Sequence, residues 1–392
     1  MYQNNALYTV KIEAGISKSY SLGFRAKFIQ EIMANKERIP GQISENLKYT
    51  ISKLYNKSRT PIPIKPNPNK TLLLSLTFGI FTSLGLILHM HLFKKRPKFI
   101  YSINYMIPSV LVFDASLIHP LRAQKIKDSL LAEKIIKRKD IIEAHPIPLS
   151  EFRCIYSAKM IESLKDMNSV SEQMNLYLTS EIDYLELLEF YTTSCDGTYK
   201  ALQYAVQERT LCFNLSGGFH HASKTHSARF CLLNDVFYAI KKAEKDIQDQ
   251  SILIIDTDYH QGDGNISFLD EFPNVSMISI DIQHDEQNSH ARLTSVAFQD
   301  STSFADYKSQ LISSIDKVKD PDIIIYLAGY DLFKEDSLTH GPFSENEILE
   351  RDAHIFSHFK GKAFVFLPAG GYGINSWKLT LNSIKNYVKK IH

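Results

Sequence analysis

Four short runs rich in branched and aromatic apolar residues constrain this chain more than any other feature: SILIID (251–256), VSMISID (275–281), DIIIYLAG (322–329) and KAFVFLPAG (362–370). Their apolar residues are nearly continuous rather than alternating, so a sheet built from them must be covered on both faces. Stretches with helical spacing lie around them, near 234–249, 303–318, 344–359 and 375–390. Strands separated by helices predict an α/β fold with a mainly parallel sheet flanked by helices. In such sheets the chemistry gathers at the carboxyl ends of the strands, so the residues just after each run matter most.

The first run leads into Asp256-Thr257-Asp258-Tyr259-His260-Gln261-Gly262-Asp263-Gly264. Three carboxylates and an imidazole packed this closely are costly unless a cation or hydrogen-bond partners compensate them. Asp258 and His260 offer oxygen and nitrogen ligands suited to zinc, and alternate residues leaving a strand project to one side. A polar loop with satisfied side chains is the plainer alternative. The third run leads into Ala328-Gly329-Tyr330-Asp331, with Asp336 beyond it. A lone Asp after a strand is usually a helix cap. As the third ligand of an open zinc site it becomes specific, because catalytic zinc keeps three protein ligands and one position for water or substrate.

The fourth run ends in Ala369-Gly370-Gly371-Tyr372, where a tyrosine hydroxyl follows two glycines, and Ser216-Gly217-Gly218-Phe219-His220-His221-Ala222 precedes the first run. Adjacent histidines on a strand point to opposite faces, but in a glycine-entered loop both can border one cavity. Each could meet an acid of the D-x-D-x-H segment (256–260), and imidazole titrates near neutral pH, so His220 and His221 read as a general acid/base pair.

GGFHHA (217–222), DTDYHQGDG (256–264), AGYD with Asp336 (328–336) and AGGY (369–372) stand in the order and spacing of the zinc-dependent histone deacetylase superfamily. Residues 99–392 resemble that family, nearer to its class IV and bacterial branch, and His119-Pro120-Leu121-Arg122 resembles its early histidine-proline segment. The resemblance implies an arginase/deacetylase-like domain with zinc on Asp258, His260 and Asp331. It implies His220 and His221 as the acid/base pair, backed by Asp256 and Asp263, with Tyr372 on the acyl oxygen. It also implies a potassium ion held by Asp256 and the backbone carbonyls of 256–260, and substrate contacts at Gly218, Arg229 and Phe230. Two departures touch substrate choice. Arg229 precedes Phe230 where the family usually has a Gly-Phe step, and the family's proline-glycine loop is replaced by 283–302.

The N-terminal part lies outside the resemblance. Residues 1–70 carry 12 Lys/Arg against 4 Glu and read as a basic extension, with short amphipathic helices near 24–35 and 44–56 and a spacer holding Pro61, Pro63, Pro66 and Pro68. Residues 71–88 form 18 consecutive positions without charge, and the apolar run continues to Phe93 before Lys94, Lys95, Arg96 and Lys98. That length suits a single membrane-spanning helix over 71–93. Ser75, Gly79 and Ser83 form a small-residue stripe along it. A helix packed on a soluble protein is the alternative.

Net charge is +2 overall, but residues 99–392 are acidic, with 29 basic against 39 acidic side chains, so nucleic acid is not expected as a direct partner. Cys154, Cys195, Cys212 and Cys231 include no CxxC pair, which predicts a reducing compartment. The expectation is therefore a membrane-associated deacetylase with its catalytic domain in the cytosol, acting on acyl-lysine in proteins. A soluble cytoplasmic protein, a deacetylase of small acetylated amines such as acetylpolyamine, and a tethered scaffold without turnover stand as alternatives.

Overall fold

Burial on both faces determines the sheet. In the computed structural model, which describes residues 96–111, 119–178, 180–282 and 288–391, eight strands form one sheet. They are β1 (Lys98–Tyr101), β2 (Ile141–Glu143), β3 (Leu211–Asn214), β4 (Ile252–Asp256), β5 (Val275–Asp281), β6 (Leu293–Ala297), β7 (Ile323–Ala328) and β8 (Ala363–Pro368). Their spatial order is β2-β1-β3-β8-β7-β4-β5-β6, and every pairing is parallel. Each residue of β3, β4, β7 and β8 is buried, as continuous apolar strands at the centre of a covered parallel sheet require.

The four helices expected from periodicity form as Asp235–Ile247, Phe304–Asp316, Glu345–His358 and Trp377–Ile391. Local chemistry starts three of them. The side chains of Asn234 and Ser303 accept from the backbone N–H of Phe237 and Asp306, and Ser344 pairs with Glu347 in a capping box. The longest helix among the described residues, Glu181–Glu208, has no counterpart in the sequence reading and packs beside β3 and β8.

A buried polar girder ties the last helices to the strand ends. Arg351, fully buried, pairs with Asp352 and donates to the carbonyl of Gly329. The Asp352 carboxylate also accepts from Tyr326, Tyr330 and Ser383 hydroxyls. The Asp352 carboxylate is satisfied from fixed elements, the condition under which a buried pair holds geometry, while Arg351 Nη2 has only the ion-pair contact with Asp352 at 2.8 Å.

The described residues belong to the unit Lys95–His392. The expected helices near 24–35 and 44–56, the proline spacer and the apolar run 71–93 lie outside the described residues. Among the described residues, no helix is long and apolar enough to cross a membrane.

Candidate metal centre and acid/base site

The site sits where β3, β8, β7 and β4, adjacent in the sheet, end together. Asp256 closes β4, and the chain leaving it carries Asp258 and His260. Asp331 follows β7, and Gly370 follows β8. Oxygen or nitrogen atoms of Asp258, His260 and Asp331 lie within 4.8 Å of one another. Asp258 Oδ2 accepts from the Gly370 N–H at 2.7 Å, and Asp331 Oδ1 accepts from the Tyr259 N–H at 3.0 Å. Asp331 Oδ2 is buried with no hydrogen-bond partner, and His260 Nδ1 stands 3.7 Å from it. A Cβ at position 370 would press on Asp331 Oδ2 and Asp258 Oδ2, so only glycine lets this turn pass so close.

The electrostatics say what this arrangement lacks in neutralising charge. Burial, and then the charge of Asp258, hold the Asp331 carboxyl well above its ordinary value. Burial works against the charged form of His260, yet Asp258 and Asp331 push its pKa up to about 9. Two carboxylates competing for one imidazole proton, and an orphaned oxygen facing them, fit a divalent cation of zinc's ligand preference.

The histidine loop is fixed from behind. Gly217 and Gly218 have φ of 99° and 81°, in the left-handed region that favours glycine. The Asp235 carboxylate accepts from the N–H groups of Gly218 (3.0 Å) and Phe219 (2.8 Å) and from the Thr198 hydroxyl (2.6 Å). Asn234 donates to the carbonyl of Ala222 at 2.9 Å, just past the pair. Both imidazoles therefore border one cavity, with ring centroids 4.1 Å apart. Asp235→Ala is expected to destabilise the fold by about 1.5–3 kcal/mol, the range for hydrogen bonds to a buried charge, as read by denaturant unfolding. An unchanged midpoint would show the loop to be held by other contacts.

The two histidines are pushed apart. His220 Nδ1 lies 2.8 Å from Asp256, and His221 Nδ1 lies 2.5 Å from Asp263. Burial lowers the pKa of both. For His220 the charges of Asp256 and Asp258 outweigh it and bring the value up to about 10, whereas for His221 burial and the neighbouring His220 bring it down to about 4. Arg229 Nη1 stands 3.1 Å from His221 Nε2. A guanidinium can only donate, so Nε2 carries the lone pair and Nδ1 carries the proton shared with Asp263.

The cavity, of about 520 Å³, is lined by Gly218, both histidines, Asp258, His260, Arg229, Phe230 and Tyr372. The Tyr372 N–H donates to Asp336 Oδ2 at 2.5 Å, and its ring lies 5.8 Å from that of Phe230. Burial first, then Asp258 and Asp331, hold the Tyr372 hydroxyl well above its ordinary pKa, so it stays a donor. The structure thus brings the expected ligand, acid/base and cavity residues to one place. It adds Asp235 and Asn234, which hold the histidine loop, and Arg122, which lines the cavity and donates to the Pro368 carbonyl at 3.2 Å. A helix-capping Asn-Asp pair is the only sequence signal for the first two. Residues 283–287, in the segment that departs from the family's proline-glycine loop, lie outside the described residues.

The histone deacetylase domain model matches residues 116–387. The chain is 24% identical to Histone deacetylase 2 of Arabidopsis thaliana over 74% of its own length and 78% of that protein. It is 30% identical to the acetoin utilization protein AcuC of Bacillus subtilis, over 47% of this chain and about half (52%) of that one. Among solved structures it resembles an HDAC homolog complexed with SAHA, with TM-score 0.58, 17% identity, and 76% of this chain and 88% of that one covered. The HDA15 HD domain gives TM-score 0.58 at 18% identity over 74% and 90% of the two chains. These last two likenesses concern the fold.

Proposed function

The chain belongs to the histone deacetylase family, and we propose that it is a zinc-dependent amidohydrolase that removes acyl groups from lysine side chains of proteins. The observation that carries this reading is the grouping of Asp258, His260 and Asp331 beside a cavity bordered by two carboxylate-backed histidines. In this reading Asp258, His260 and Asp331 hold the zinc, and Asp256 with the carbonyls of 256–260 seats a monovalent cation. Zinc, when bound, polarises the amide carbonyl and lowers the pKa of water.

The chain's own groups supply the rest. His221 Nε2, with Asp263 on its other nitrogen, takes the proton from the attacking water. His220, with Asp256 on Nδ1, keeps its proton near neutral pH and is placed to stabilise negative charge developing beside it. The Tyr372 hydroxyl donates to the acyl oxygen as the carbonyl carbon becomes tetrahedral. The carbon–nitrogen bond then breaks, the proton held at His221 passes to the lysine nitrogen, and a carboxylate leaves. Gly218 and Phe230 line the path of the acyl-lysine stem.

The cavity wall weighs on substrate. Among its described residues Asp258 is the only carboxylate, and two guanidiniums, Arg122 and Arg229, face it, a poor lining for a polycationic amine. The test is hydrolysis by the zinc-loaded chain of acetyl-lysine peptide, long-chain acyl-lysine peptide and acetylpolyamine. Turnover of peptides above polyamine is expected. Polyamine preference rejects protein lysine as the substrate, and no turnover on any of the three favours a scaffold.

The proposal includes a tether: residues 71–93 as a membrane span, with Lys94–Lys98 at the cytosolic interface. The full chain is expected in the membrane fraction and resistant to carbonate, while a fragment starting at Lys95, which keeps β1 whole, is expected to be recovered without detergent. Full-length protein released by carbonate rejects the span.

A further inference from the structure

Arg229 is a cation on the cavity that the chemistry above does not use. It opens a tight two-residue turn closed by two hydrogen bonds, Ala228 N–H to the Cys231 carbonyl (3.1 Å) and Cys231 N–H to the Ala228 carbonyl (2.9 Å). Its φ of 52° lies in the region where glycine is at ease and a long side chain is not. The residue is exposed at the cavity while its Nη1 reaches to 3.1 Å from His221 Nε2. That nitrogen is the atom assigned to accept the water proton. The substrate-free protein therefore covers its own base with a donor.

Among the described residues nothing holds the guanidinium there strongly. Among the described residues no carboxylate pairs with Arg229, and a neutral imidazole nitrogen is a weaker acceptor for a guanidinium than a carboxylate, which can take both prongs of the fork. Asp258, the only carboxylate on the described wall, is engaged by the Gly370 N–H and stands in the metal-ligand group. Among the described residues of the wall no better acceptor is at hand, whereas a carboxylate brought by the substrate would be one.

We propose that Arg229 selects acyl-lysine that has an acidic neighbour in the peptide: the carboxylate of an adjacent Asp or Glu draws the guanidinium off His221 Nε2, so that recognition uncovers the base. The proposal rests on the deacetylase reading and names its substrate class. A neutral neighbour leaves Arg229 on the imidazole, and a basic neighbour is repelled by it. Arg229 acts here as a specificity-determining residue, and its contact with the general base couples that specificity to turnover.

The test uses the full chain and one acetyl-lysine peptide carrying Glu, Gln or Lys beside the modified residue. With zinc bound, kcat/KM for the Glu peptide is expected to exceed that for the Gln peptide by about five- to tenfold at low salt, the Lys peptide being slowest, and the ratio should shrink as salt rises. In Arg229→Gly the Glu/Gln ratio should fall to within about twofold and the Gln peptide should turn over faster than in wild type, because the base is no longer covered. Glycine suits the backbone at this turn, and Arg229→Gln, which keeps Cβ and removes the charge, provides a second variant with the same expected loss of preference.

Binding gives a readout independent of turnover: the metal-free chain should bind the Glu peptide more tightly than the Gln peptide by a similar factor, and both variants should not. Equal handling of the two peptides by wild type, or a preference that survives in both variants, overturns the role of Arg229. A binding preference without hydrolysis of any peptide by the zinc-loaded chain rejects the deacetylase reading and leaves the recognition by Arg229 standing.

Discussion

Asp331→Ala is expected to lose both bound metal and hydrolysis, with turnover falling by at least about a thousandfold, the several kcal/mol that metal-ion catalysis supplies. The expectation follows from where each carboxylate oxygen goes. Oδ1 is occupied by the Tyr259 N–H, while Oδ2 is buried, has no hydrogen-bond partner and lies in the group formed with Asp258 and His260. Removing the side chain takes away a negative charge and one of three ligands, leaving two where catalytic zinc keeps three. Asp331→Asn separates the two effects, since its amide oxygen can still accept from Tyr259 while the charge is gone. Metal analysis of the purified variants is the measurement. Full zinc content together with a normal rate in Asp331→Ala would remove this residue from the site.

What could be read from the sequence depended on where burial leaves a mark. β4, β5, β7 and β8 were legible because each is a run of apolar residues. β3 (LCFN) is just as central and just as buried, but four residues ending in a polar one carry no periodicity to distinguish them. β6 (LTSVA) lies at the sheet edge, where only partial burial is needed and polar residues are admitted. The candidate metal group was legible because strand ends in a parallel sheet converge, so Asp258 and His260 after one strand could be grouped with Asp331 after another. The coupling of that group to its surroundings was not. Asp235 looks like any residue at the start of a helix, and only the fold shows its carboxylate turned back onto the N–H groups of Gly218 and Phe219. Arg229 could be noted as an oddity of sequence, but a contact with His221 eight residues earlier depends on a turn geometry that no spacing encodes.

Tyr372→Phe is expected to retain its metal and lose at least about a hundredfold in turnover, the roughly 2.7–4 kcal/mol that one oxyanion donor contributes. The turn that carries this tyrosine has two tasks that can be separated. Its backbone supports the candidate metal group: the Gly370 N–H donates to Asp258, the Tyr330 N–H donates to the Gly370 carbonyl, and the Tyr372 N–H is anchored on Asp336. Gly371, with φ of 137°, lets the chain make that turn. Phenylalanine leaves all of these contacts and the ring packing against Phe230 in place, and removes one hydroxyl. The loss should therefore appear in kcat rather than in zinc content or thermal stability. Because burial and the flanking carboxylates keep this hydroxyl protonated far above neutral pH, the variant should also keep the shape of the wild-type pH profile through the neutral range, lowered throughout. A variant with the wild-type rate would mean that the hydroxyl does not reach the acyl oxygen and that the glycine turn serves the metal ligands alone.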